Sequence, residues 1–110
     1  MANTIIGTQV FTDTVTFLKI REQFVKTLTT GDATPTVLDL EVVISPVGAT
    51  VVTNFDDGTP LQDLYILSNG NLTVNNTATI KTSTGANKVL AANRVYHFKY
   101  INSIWYEVTT

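Results

Sequence analysis

The stretch Arg94-Val95-Tyr96-His97-Phe98-Lys99-Tyr100-Ile101-Asn102-Ser103-Ile104-Trp105-Tyr106-Glu107-Val108 decides the fold class. Tyr96, Phe98 and Tyr100 alternate with Val95, His97 and Lys99, which is the period of a half-buried strand. Asn102-Ser103 has the length of a two-residue hairpin turn, although Gly is favoured over Ser in its second place. Ile104, Tyr106 and Val108 then alternate with Trp105 and Glu107. Aromatic pairs across such a hairpin would pin its register.

Upstream, short strand-like segments alternate with turn chemistry. Leu72 to Val74 and Ala78 to Lys81 are split by Asn75-Asn76, and Gly85 to Asn87 makes a turn. Leu64 to Leu67 reads as a buried strand followed by an Asn69-Gly70 hairpin turn. Ala49 to Phe55 is another strand, closed by Asp56-Asp57-Gly58-Thr59-Pro60, where Gly supplies positive φ and Asp caps the turn. Val37 to Ile44 alternates in part and stops at Ser45-Pro46. Thr4 to Thr8 and Gln9 to Thr16 are rich in β-branched residues. Phe17 to Leu28 fits helical spacing through Phe17, Leu18, Phe24, Val25 and Leu28, and an extended arm fits equally well. No internal repeat of solenoid length stands out. The expected fold is mainly β: a small antiparallel β-sandwich or barrel (residues 31–110) with an N-terminal arm or docking segment (residues 1–30), and a short helix left open.

Composition bounds the function. One domain is expected from 110 residues. Only 15% of them are charged and the net charge is −2. Thr and Asn supply the remaining polarity, which suits contacts with protein or carbohydrate because an uncharged group costs less to desolvate. Lys19, Arg21, Lys26, Lys81, Lys88, Arg94 and Lys99 form no cluster, so neither nucleic acid nor a membrane surface is an expected partner. There is no cysteine, which excludes disulfides and thiolate metal sites. Met1 to Phe11 lacks the pattern of a signal peptide.

The chain carries little that chemistry needs. His97 is the sole histidine. No serine stands in a nucleophile-elbow context, so a strand histidine at a surface or subunit seam outweighs a catalytic one. Asp56, Asp57 and Asp63 read as turn caps rather than a carboxylate pair across a sugar cleft. Asn54, Asp56 and Asp57 lack the rhythm of a calcium loop. Asn71-Leu72-Thr73 and Asn75-Asn76-Thr77 match glycosylation acceptors, a pattern common by chance in such a chain. No catalytic residue, metal site or cofactor is expected.

From Gly31 to Val108 the order of segments resembles a module of tailed-bacteriophage tail fibres and tailspikes. The pieces that carry the resemblance are Thr30-Gly31-Asp32-Ala33-Thr34-Pro35-Thr36-Val37, Thr53-Asn54-Phe55-Asp56-Asp57-Gly58-Thr59-Pro60, and Tyr100 through Val108. Two features depart from the family pattern: Asn102-Ser103 replaces a Gly-containing turn, and Asn75-Asn76 stands where a His is usual. The resemblance implies a non-enzymatic virion protein, assembled in the bacterial host cytoplasm and trimerising with itself. A head-decoration (capsid cement) protein on the major capsid protein is the first expectation. A short tail fibre or knob among tail proteins, touching a host receptor or glycan, is the alternative. Candidate subunit or partner contacts are Phe55, Tyr65, Tyr96, Phe98, Trp105 and Tyr106, with Trp105 and Tyr106 as candidate sugar-stacking rings. The candidate docking arm is Ile5, Ile6, Val10, Phe11, Phe17 and Phe24.

Overall fold

The computed structural model describes residues 25–109. Nine strands follow in order: β1 (Val25–Thr27), β2 (Val42–Ile44), β3 (Thr50–Val52), β4 (Asp63–Ser68), β5 (Leu72–Val74), β6 (Ile80–Lys81), β7 (Lys88–Val89), β8 (Arg94–Ile101) and β9 (Ile104–Val108). They form a six-stranded sheet, β1-β2-β4-β8-β9-β6, and a three-stranded sheet, β3-β5-β7. The mainly β expectation holds, the two sheets decide for the sandwich over the barrel, and no helix occurs among the described residues. Within the ambiguous 17–28 stretch, Val25–Thr27 is a strand and Leu28 is buried; the rest lies outside the described residues. Ile5, Ile6, Val10, Phe11, Phe17 and Phe24 of the candidate arm lie outside them too.

The hairpin β8–β9 forms as its alternation requires, with Ile101 opposite Ile104 and Tyr100 opposite Trp105. Asn102 (φ 52°) and Ser103 (φ 65°) are both left-handed, as a type I′ turn demands. β4 pairs antiparallel with β8 and β5 with β7. Elsewhere the pairing is parallel, at β1–β2, β2–β4, β3–β5 and β6–β9. The sheets are therefore mixed, not purely antiparallel. From β2 to β5 the chain crosses from one sheet to the other at every loop. Parallel partners consequently lie about twenty residues apart, the length of a solenoid turn.

This winding changes the meaning of two turns. Asn69-Gly70 does not join a hairpin: it is a corner that carries the chain from β4 in one sheet to β5 in the other. Asn69 Nδ2 donates to Pro46 O at 2.9 Å and Asn71 Nδ2 to Val47 O at 2.7 Å, which stitches this corner to the β2–β3 corner beneath it. That corner is stitched in turn to the one after β1. Gly48 N donates to Thr30 Oγ1 at 3.0 Å, and Gly31 N to Thr50 Oγ1 at 2.9 Å. Much of the Thr and Asn content thus satisfies backbone groups at stacked corners that no strand can reach.

The core lies between the sheets: Trp105, Phe55, Phe98, Leu64, Ile66, Leu72, Ile80 and Leu90 are fully buried, with Val37, Val43, Val52 and Val74 filling the gaps. Phe55 meets Trp105 edge-on at 5.8 Å, and Tyr100 packs on Trp105 at 4.6 Å. Trp105 Nε1 donates to Phe55 O at 3.0 Å, so the buried indole is satisfied. Gly58 serves this cluster by close approach. Its φ is not positive; the left-handed residues in that loop are Asp57 and Leu61. A Cβ at Gly58 would stand 2.9 Å from both the Trp105 and Tyr100 rings. Gly58→Ala is expected to cost about 1–3 kcal/mol through this overlap, lowering Tm by roughly 5–15 °C in a calorimetric scan. An unchanged Tm would refute the close approach.

Candidate interaction face

Side chains of a strand alternate between the faces of its sheet, so register alone sorts the six-stranded sheet into two surfaces. The rows Val43–Ile66–Tyr96 and Leu64–Phe98–Glu107 face the core. The outer face presents Thr27–Ile44–Leu67–Val95 in one row and Val25–Val42–Tyr65–His97–Val108 in the next. Those nine positions hold seven apolar or aromatic side chains and no acidic residue. Val25, Leu67, Val95 and Val108 are between 39% and 63% exposed, although large aliphatic groups gain most from burial. A third row, Asp63–Lys99–Tyr106–Lys81, carries the charge.

His97 sits where the apolar and charged rows meet. Its ring stacks on Tyr65 at 4.4 Å with an interplanar angle of 13°. Its Nε2 lies 2.7 Å from Asp63 Oδ1, and Lys99 Nζ reaches both Asp63 oxygens at 3.3 Å. The hydrogen bond with His97, opposed by some burial and helped by Lys99, holds the Asp63 carboxyl below the usual carboxylate range. An open cleft of about 450 Å³ adjoins Asp63 and Tyr65, walled on its far side by Asp39, Leu40 and Glu41. Gln62 in that wall is already committed, donating to Val37 O at 2.9 Å and Leu40 O at 2.7 Å.

Around the His97–Asp63 pair the arrangement is an open surface. His97 and Asp63 form a pair on an open sheet face, with no serine or threonine hydroxyl bonded to the imidazole among the described residues. Asn54 Nδ2 donates to Asp56 Oδ1 at 2.9 Å, and Thr36 Oγ1 donates to Asp57 Oδ2 at 2.6 Å. Asp56 and Asp57 thereby work within their loop.

The candidate contact residues separate by layer. Phe55, Phe98 and Trp105 are 0–1% exposed inside a single chain, which corrects their assignment as subunit contacts and removes Trp105 as a sugar-stacking ring. Alternation placed Phe98 and Trp105 correctly on strands, whereas Phe55 lies beyond β3, which ends at Val52; alternation cannot say which face meets the second sheet. Tyr96 is a core-side residue whose hydroxyl accepts from Ala91 N at 2.9 Å. Tyr65 and Tyr106 remain on the outer face. The aliphatic members of that face were missed, because exposed Val and Leu become informative only once the register puts them side by side.

Two mixed sheets packed over one aromatic core, with an outer face left apolar, define the chain as a small β-sandwich domain. Residues 9–106 match the model of the phage depolymerase C-terminal β-sandwich domain, and the chain belongs to that family. No curated protein and no solved structure matches it. The resemblance to β modules of tailed-phage fibres and tailspikes is borne out. Membership supports a phage structural role and a place in the virion.

Proposed function

We propose that this chain is a non-enzymatic structural module of a bacteriophage tail fibre or tailspike, and that it acts as a homotrimer. The observation that carries the reading is the match over residues 9–106 to a domain described from phage depolymerases. Of the two placements expected from sequence, that description favours the tail over head decoration. The non-enzymatic part draws support from the match to a C-terminal β-sandwich domain of phage depolymerases. Trimerisation draws support from the outer sheet face, where exposed valines and leucines stand side by side among the described residues.

Gold-labelled antibody against the chain should decorate the tails of intact virions in electron micrographs. Label confined to the capsid shell would overturn the tail placement and restore head decoration. Light scattering of the purified protein should give three times the 12.0 kDa chain mass. A monomer at micromolar concentration would overturn the trimer.

A further inference from the structure

We infer that the three copies turn the outer face of the six-stranded sheet toward their common axis, so that the Thr27–Val95 and Val25–Val108 rows form the subunit interface. This rests on the trimeric reading above and assigns it a surface.

Four observations select a second copy as the occupant. The two apolar rows run in register across four and five strands, up to about 20 Å at ~4.8 Å per strand, and β8 extends about 26 Å. The resulting footprint is on the order of 500 Å² before side-chain relief. That area already includes the charged row and is of the same order as a stable interface, ~800 Å² per partner. The rows lie side by side on the open face of one sheet, a surface that a second sheet can pack against face to face. The charged row holds both signs, with Lys99 paired to Asp63 and Lys81 at the far edge beyond Tyr106, so Asp63 of one copy can meet a lysine of the next. The outside of the three-stranded sheet offers no comparable area, only the single row Val51–Thr73–Val89.

The test pairs two substitutions. Leu67 and Val95 are direct cross-strand neighbours. Leu67→Lys with Val95→Glu creates an ion pair that an isolated sheet accepts and a dry interface does not. The double variant should keep its far-UV spectrum and sediment as a monomer, with the trimer weakened on the order of 100-fold or more. Val89→Glu, on the opposite sheet, should stay trimeric. A trimeric wild type with an equally trimeric double variant would overturn the face and leave the trimer standing. A monomeric wild type would overturn both. Because the chain has no cysteine, Val95→Cys provides a unique thiol. That thiol should react slowly in the trimer and quickly after dilution to monomer. Slow reaction in the monomer would mean that the chain's own residues cover the face, and would overturn the proposal.

Discussion

Trp105→Ala should leave a chain that fails to fold cooperatively or unfolds at much lower urea. The substitution deletes the largest buried side chain and opens a cavity against Phe55, Tyr100 and Gly58. Losses of about 3–5 kcal/mol accompany such truncations. The carbonyl of Phe55 is also left without its donor, a further ~1–3 kcal/mol for a buried acceptor. Against a total of about 5–15 kcal/mol, that is most of the stability of a small domain. Urea denaturation followed by far-UV circular dichroism should show the midpoint falling by roughly 2 M, or no native baseline at all. Trp105→Phe retains much of the volume and loses the N–H, so its midpoint should fall between the two. A midpoint within experimental error of wild type would mean that the ring is not the keystone of the core.

Lys88→Ala should be the second most damaging change, and its cost should depend on pH. Glu107 projects from β9 toward β7 with its side chain only 4% exposed. It takes a 2.8 Å hydrogen bond from Lys88 Nζ on one oxygen and one of 2.8 Å from Ser83 N on the other. Burial pushes this carboxyl up; the bonds from Lys88 and Ser83, with the charge of Lys88, outweigh it and hold the group below its ordinary 4.5. A carboxylate lowered in this way contributes stability at pH values above the unfolded one. That contribution is lost as pH falls through the folded value. Wild type should therefore lose stability below about pH 4.5.

Without Lys88, burial remains and the ammonium does not, so the folded pKa of Glu107 moves up. The carboxylate then keeps its bond from Ser83 N but loses that from Lys88, and its contribution to stability at neutral pH falls. The variant should be about 3 kcal/mol less stable than wild type at pH 7, the lower end for a broken buried pair because Lys88 is 22% exposed. The deficit should shrink as pH approaches 4, where wild type gives up its own advantage. Glu107→Gln, which keeps a carbonyl for Ser83 N, should show a smaller and flatter loss. Thermal melts of the three proteins from pH 4 to 7 check this, and a Lys88→Ala deficit constant over that range would contradict the mechanism.

Legibility from sequence followed the range of the interactions. The β8–β9 hairpin was readable because both of its determinants are local: period-two aromatics and a two-residue turn at Asn102-Ser103. Leu72–Val74 was readable for the same reason. The Asn69-Gly70 turn was placed correctly, but its role was not. The dipeptide sets a bend, whereas the partners of the strands on either side are supplied from elsewhere in the chain. Thr and Asn were read as a surface suited to partners. In the fold, Thr30, Thr50, Asn69 and Asn71 face neighbouring corners, and their bonds span 18 to 24 residues. Gly58 was assigned to backbone freedom, while its actual constraint comes from two rings some forty residues further on.

By itself the sequence determined that the chain is β-structured, closes with an aromatic hairpin and lacks the clustered charge that nucleic acid requires. Alternation, turn propensity and composition are local or additive properties, and they survive being read one residue at a time. The tertiary structure alone decided the parallel winding, the burial of Phe55, Phe98 and Trp105, and the assembly of Val25, Val42, Ile44, Leu67, Val95 and Val108 into one outer face. A strand's alternation is symmetric about its own plane, so only packing against the second sheet distinguishes core from surface.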